Sequence, residues 1–472
     1  MARVVVVSNR VALPSRDGRT QPGGLAVAIR AVLKDRPGVW FGWSGSAVSE
    51  HKKIETRTFD YGQLSYVVTD LVEEDFQEYY NGFANRVLWP ILHYRVDLAE
   101  FSEADFGGYR RVNEFFAERL GPLLEADDIL WVHDYHLIPL ALALRARGHA
   151  NRIGFFLHIP MPPPDFLTTL PHHAEVVGAL TEYNLIGFQT DNDAGNFTRY
   201  LTRIVGAATP DGRHYHLAHQ HFRVGVFPVG VDTEGFRRLA EDSAHTPFAA
   251  ELEESLAGRA LMVGVDRLDY SKGIVNRLDG YERFLEKYPE WHGRITCLQI
   301  APGSRQDIPE YVEIDAAVSA KVGHINGRFG AVSWVPLRYV SRNHRREDIA
   351  MIMRLARIGL VTPLRDGMNL VAKEFVAAQD PADPGVLILS PFAGAAAELG
   401  AALIVNPHDR DAMADAIHTA LDMPLEERRA RHQEMYAVLE ANHIRYWGQS
   451  FLEALTRPGR PLNWLSSRIV TR

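Results

Sequence analysis

Short, mostly apolar runs alternate with stretches of helical periodicity along this chain. They lie at 4–7, 129–133, 153–158, 185–189 and 224–227, and again at 260–265, 295–300, 332–335, 358–362, 386–389 and 402–405. Runs this short and this apolar read as strands buried on both faces. Strands alternating with helices predict parallel sheets joined by right-handed crossovers. Two such series predict an α/β protein of two doubly wound domains facing a cleft. Between the series, Pro228-Val-Gly-Val-Asp232 sets a rigid residue beside a permissive one and reads as a hinge. After the last strand, 446–455 reads as a helix. The stretch 14–24, PSRDGRTQPGG, is a turn-rich loop after the first strand. Gly23 and Gly24 would let backbone approach a phosphate there, so the loop is expected to be a ligand-ordered flap.

At 472 residues the chain is too long for one ordinary core, which agrees with two domains. Net charge is −8 and no basic run stands out, which disfavours a nucleic-acid partner. A weakly acidic protein that binds anions must gather its cations locally. Arg10, Arg267, Lys272 and Arg305 are the candidates. The one cysteine, Cys297, lies in the run ITCLQI and is expected to be a buried structural thiol. No disulfide framework is possible, in keeping with a reducing cytoplasm. Only four valines precede Ser8, too few for a signal-peptide core. No stretch approaches the roughly 20 apolar residues of a membrane span.

Two distant segments carry the chemistry. VDRLDYSKG follows the run ending at Val265, and PLRDGMNLVAKE follows the run ending at Thr362. Ligands of open α/β sheets sit beyond the carboxyl ends of strands. The first segment brings Arg267 and Lys272 to such an end. The second brings a turn of free amides, Gly367 to Leu370, then the carboxylate of Glu374. Cations with helix-N-terminal amides suit a diphosphate, and a carboxylate suits sugar hydroxyls. Together they describe a nucleotide-sugar pocket.

Both segments resemble the donor site of the trehalose-6-phosphate synthase family, retaining glycosyltransferases of the GT-B fold. Further motifs of that family recur in order: VVSNR ending at Arg10, GGLA from Gly23, WFGWSG ending at Gly45, YYN from Tyr79, VLWP from Val87, WVHDYHL from Trp131, GFFLHIP from Gly154, GFQT from Gly187 and QIAP from Gln299. The resemblance runs from about Arg3 to about Leu455. It implies glucosyl transfer from UDP-glucose to glucose 6-phosphate by a homo-oligomer (dimer or tetramer); the alternatives are a related synthase with another phosphorylated acceptor, such as glycerol 3-phosphate, or a non-catalytic regulatory relative. No cofactor is expected, and no metal either, since the sequence shows no convincing ligand set. The resemblance also implies an acceptor domain over 1–230, a donor domain over 231–446, and a helix crossing back over 447–472.

The resemblance assigns roles residue by residue. Arg267 and Lys272 grip the donor diphosphate. Asp366 and the backbone of Gly367, Met368, Asn369, Leu370 and Val371 hold glucose and diphosphate, and Glu374 takes the ribose hydroxyls. Gly23, Gly24 and His344 complete the donor side. The segment 337–344 around His344 departs from the family's more aromatic pattern, so nucleobase choice is not read from it. Arg10 and Arg305 take the acceptor's 6-phosphate, and Tyr80, Trp89 and Asp134 hold its sugar. His158 precedes Ile159-Pro160, so its constrained backbone is expected to face the anomeric centre. His158, Asp134, Arg267, Lys272 and Asp366 form the expected catalytic set. No nucleophilic carboxylate is identified, which fits a front-face route in which the leaving phosphate takes the acceptor proton.

Three patterns are set aside. Asp191-Asn-Asp193 matches an Asp-x-Asp metal motif but sits where a helix begins, so capping is the better account. His214, His216, His219 and His221 read as a polar loop before a strand rather than a metal site. Gly42-Trp-Ser-Gly-Ser fails the nucleophile-elbow pattern at its fifth position.

Overall fold

The computed structural model describes residues 2–14, 24–33, 36–218, 220–303 and 308–457. The first sheet contains β1 (Val4–Arg10), β2 (Gly38–Val48), β3 (Thr56–Tyr61), β4 (Leu64–Val72), β5 (Ile129–His133), β6 (Arg152–Phe156), β7 (Leu185–Phe188), β8 (His214–Leu217) and β9 (Gln220–Val226). Their spatial order is β3-β4-β2-β1-β5-β6-β7-β9-β8. The inner pairs are parallel, while β3 and β8 add antiparallel edges. The second sheet contains β10 (Ala260–Val265), β11 (Ile295–Ile300), β12 (Leu337–Val340), β13 (Ile358–Val361), β14 (Val386–Leu389) and β15 (Leu403–Ile404). It is parallel throughout, in the order β12-β11-β10-β13-β14-β15.

Val4 to Val7 are all buried, because β1 lies mid-sheet with helices over both faces. By contrast, every residue of the edge strand β3 is exposed. Cys297 is buried in β11, and burial pushes its thiol up to about 12. Among the described residues, no helix is long and apolar enough to cross a membrane.

The helix expected over 446–455 spans Ile444–Thr456 and packs on the first sheet. Its Trp447 and Phe451 rings lie 4.8 and 4.9 Å from Trp131. Gly154 and Gly187 make room for Phe451: a β-carbon on either would come within 2.7 Å of its ring. Arg152 Nη1 donates to the Thr456 carbonyl at 2.8 Å and closes the helix end. Residues 458–472 lie outside the described residues.

Two expectations are corrected. The run 332–335 is a turn, not a strand. Val332 and Val335 are exposed, and only Trp334 is buried, its indole donating to the Ile295 carbonyl at 2.7 Å. The strand that pairs with β11 is the less apolar Leu337–Val340, because Cys297 registers with Leu337. An edge strand is covered on one side only, so it need not be apolar throughout. The histidine loop is instead the antiparallel hairpin β8–β9, in which His216 and His221 bond each other and His214 bonds Asp211. His219 lies outside the described residues.

Candidate active site

The carboxyl ends of β10 and β13 meet at the cleft. Lys272 follows β10 and forms an ion pair with Asp366, which follows β13. Asn369 Nδ2 also donates to Asp366 at 3.1 Å. Beneath them Arg277 is wholly buried. Its guanidinium donates to Asp266 at 2.6 Å, Gln299 at 2.9 Å, Thr362 at 3.1 Å and the Lys272 carbonyl at 3.5 Å. One side chain therefore gathers the ends of β10, β11 and β13 under the cation pair. Burial raises the pKa of Asp266, and Arg277 opposes that rise. Asp269 fixes the next turn, accepting from the Ser271 amide and the Tyr311 hydroxyl, each at 2.9 Å.

The turn after β13 rests on the segment 390–395. The Asp366 amide donates to the Phe392 carbonyl at 3.0 Å, and the Gly394 amide returns to Asp366 at 3.1 Å. Asn369 caps the helix Leu370–Ala378. It adopts a left-handed conformation, φ 69°, and accepts from the Ala372 amide at 3.3 Å. The Leu370 and Val371 amides begin that helix, where backbone donors have no intrahelical partner. Glu374 lies further along it. Burial first, opposed by Arg346 at 3.9 Å, raises its carboxyl to about 7, although its side chain keeps 22% of its surface exposed.

The first domain meets this surface closely. A β-carbon on Gly367 would lie 2.1 Å from the His158 carbonyl oxygen, so only glycine fits. Three cation–aromatic contacts cross beside it: Arg267 over Trp89 at 5.8 Å, Arg95 over Tyr270 at 5.6 Å and Arg365 over Tyr94 at 4.2 Å. Trp89, expected among the acceptor contacts, is buried beneath the donor-side cation Arg267. His158 lies 3.0 Å from His133 through ring nitrogens, and its amide donates to Asp134 at 3.3 Å. Burial lowers the His158 pKa to about 3, so the ring is neutral at physiological pH. Asp134 has φ 75°, an uncommon value for a non-glycine residue and one often found at functional sites.

Arg10 is exposed at the end of β1, 5.9 Å from the Trp43 ring. Gly45, at φ +92°, leaves room for its guanidinium. Trp43 in turn lies 5.9 Å from Tyr80, which stacks on His136 at 5.7 Å. Tyr80 belongs to Phe76–Leu88, a π-helix of thirteen residues. Wide helical turns of this kind often mark functional sites. Trp43 thus links Arg10 to Tyr80 within the first domain, while His158, whose amide is bonded to Asp134, meets Gly367 of the second. His344 stands apart beyond β12, 6.5 Å from the Phe248 ring, with its pKa lowered by burial.

Gly23 and Arg305 lie outside the described residues, as does the expected flap over 14–24 apart from its two ends. Gly24 opens the helix Gly24–Leu33. Among the described residues no three acidic, histidine or cysteine side chains converge as metal ligands would. Asp193 accepts from the Met161 amide at 2.9 Å and bonds the Thr190 hydroxyl at 2.6 Å, while Thr190 caps the helix. The motif is thus a helix start, with Thr190 rather than Asp191 as the cap. Sequence reasoning missed Trp43, Arg277 and Arg365. An arginine amid the apolar face of the helix Ile274–Lys287 was the one available signal, at Arg277.

A model of glycosyltransferase family 20 matches residues 2–457. The trehalose-6-phosphate synthase of Sinorhizobium fredii is 49% identical over 458 residues, covering 97% of this chain and 98% of that protein. A solved α,α-trehalose-phosphate synthase (UDP-forming) from Burkholderia xenovorans, in complex with glucose-6-phosphate, has a TM-score of 0.93 at 45% identity, covering 97% of this chain and 100% of that one. An Escherichia coli structure with UDP-2-fluoro glucose bound has a TM-score of 0.92 at 46% identity, with the same coverage. Two doubly wound domains of the GT-B kind, these motifs and this similarity along almost the whole chain lead to one conclusion: the chain belongs to glycosyltransferase family 20.

Proposed function

We propose that this chain is a retaining glucosyltransferase that moves glucose from UDP-glucose to glucose 6-phosphate, giving α,α-trehalose 6-phosphate and UDP. The observation that carries this reading is the contact between Gly367 and His158. It brings the strand ends that carry Arg267 and Lys272 against the domain that carries Arg10, Tyr80 and Asp134, which supports a diphosphate sugar and a phosphorylated sugar meeting between them. As the glycosidic bond breaks, charge grows on the leaving diphosphate. Arg267, Lys272 and the first amides of the helix Leu370–Ala378 stabilise that charge. Glu374 takes the ribose hydroxyls, Arg10 with Arg305 takes the 6-phosphate, and Asp134 accepts from an acceptor hydroxyl. Asp366 is engaged by Lys272 and Asn369, which favours a positioning role over a nucleophilic one. That supports a front-face route with the departing phosphate as proton acceptor.

In this reading residues 1–230 carry the acceptor side, 231–446 the donor side, and the last helix joins them. A homo-oligomer is also expected, and light scattering after size exclusion checks it. Cytoplasmic residence rests on the single, buried cysteine and is checked by fractionation. The decisive experiment crosses UDP-, ADP- and GDP-glucose with glucose 6-phosphate and glycerol 3-phosphate, with products identified by NMR. α,α-Trehalose 6-phosphate made fastest from UDP-glucose is expected. A different disaccharide, or transfer to glycerol 3-phosphate alone, overturns the acceptor assignment.

A further inference from the structure

Lys373 precedes Glu374 on the helix Leu370–Ala378, and no role above uses it. Its side chain is 1% exposed. The ammonium donates to the Val229 carbonyl at 2.8 Å and to Glu398 at 2.5 Å. The other Glu398 oxygen accepts from Asn442 Nδ2 at 2.9 Å. Val229 belongs to one chain crossing between the domains, and Asn442 to the other. The Val229 amide donates to Gln189, just after β7, at 3.0 Å. Val229 is therefore held by the first domain through its N–H and by the second through its C=O.

The two crossings also touch here. The Ile444 amide donates to the Val231 carbonyl at 3.1 Å. A β-carbon on Gly230 would lie 2.0 Å from the Asn442 carbonyl oxygen, which explains the glycine in the hinge. One buried ion pair thus ties the donor-side helix to both crossings where they lie together. Burying such a pair is costly, and apolar groups of similar volume often pack as well or better. What the ion pair adds is register, because its donors and acceptors are satisfied together in one arrangement. Adjacent helical residues point roughly 100° apart at 3.6 residues per turn. Glu374 can therefore face the cleft while Lys373 faces the hinge.

We infer that Lys373 is a positioning residue for glucosyl transfer, fixing through Val229 and Asn442 the angle at which the two domains meet. The inference rests on the transfer reaction proposed above. Three full-length variants test it: Lys373→Met, Glu398→Gln, and Lys373→Met with Glu398→Leu, which replaces the pair by apolar groups. UDP affinity, kcat, both KM values, the ratio of donor hydrolysis to transfer, and the scattering radius with and without UDP are measured. Lys373→Met is expected to keep UDP affinity while kcat falls about 10²-fold, as a misplacement of about 1 Å can cause. The hydrolysis ratio should rise. In the double variant, stability should recover but kcat and the ratio should not. Recovery of all three overturns the inference and leaves the pair a packing element. If Lys373→Met does not fold, the double variant and Glu398→Gln decide by the same readouts. Wild-type protein that transfers no glucose to glucose 6-phosphate counts against the proposed reaction instead. The clamp is then read from UDP-induced compaction alone, which the variants should lose and which would overturn it if kept.

Discussion

The α-carbon of Gly367 rests against the carbonyl oxygen of His158, with no space between them for a methyl group. A donor-side turn and an acceptor-side loop, more than two hundred positions apart in sequence, are thereby in contact. Gly367→Ala would put a carbon 2.1 Å from that oxygen and force the domains to separate. Turnover is expected to fall by about 10², the scale of a misplacement of about 1 Å, with the circular-dichroism spectrum retained. Normal turnover would show that the cleft can work in a wider form.

Arg267→Ala and Lys272→Ala should each lower kcat by at least about 10², as loss of one charge-stabilising donor can. Lys272→Ala also frees Asp366, so its effect should shrink in an Asp366→Asn background. Steady-state rates for the four proteins read this. Near-normal turnover in both single variants would sink the donor assignment.

Arg10→Ala should weaken glucose 6-phosphate by about 1.5–3 kcal/mol, the worth of a charge-assisted contact. The donor constant should hardly change. Trp43→Leu should act in the same direction, since Arg10 lies 5.9 Å from that ring. If the donor constant rises and the acceptor constant does not, the two sides of the cleft have been exchanged.

Arg277→Met leaves Asp266 buried without its partner. The expected loss is about 3–5 kcal/mol, as for removing one partner of a buried ion pair. Urea unfolding measures it. A loss below about 1 kcal/mol, the ordinary size of a point-mutant effect, would mean that water or a rearrangement replaces the guanidinium.

If Glu374 takes the ribose hydroxyls as proposed, donor binding should depend on pH. The Glu374 carboxyl is raised from 4.5 to about 7, and the ionised form is the one that accepts two ribose hydroxyls. UDP affinity should therefore weaken as pH falls through 7. Comparison with Glu374→Gln removes the titration of UDP itself. Stability runs the other way from the usual carboxylate. Between 4.5 and about 7 the folded protein keeps a proton that the unfolded chain has released. Stability relative to Glu374→Gln should then fall as pH rises through that window. Calorimetry without ligand checks the sign, and parallel profiles for the two proteins would show that burial does not raise the Glu374 carboxyl.

Local composition was enough to determine most strands, because a strand covered on both faces must be apolar along its length. Ile129–His133, Ala260–Val265, Ile295–Ile300 and Val386–Leu389 were legible for that reason. So were Arg267 and Lys272, since cations after buried strands in an acidic chain stand out. The edge strand Leu337–Val340 was not legible, and the more apolar turn at 332–335 took its place, because pairing with β11 rather than apolarity decides there. Tertiary structure alone joined Lys272 to Asp366, made Asn369 the helix cap, put Trp89 under Arg267 and buried Arg277 beneath three strand ends. It likewise tied Lys373 to both crossings and seated Gly367 on His158. The physical reason is range. Burial and helix signals act over a few neighbouring residues, whereas these contacts join positions brought together only by the parallel crossovers and by the closure of one domain on the other.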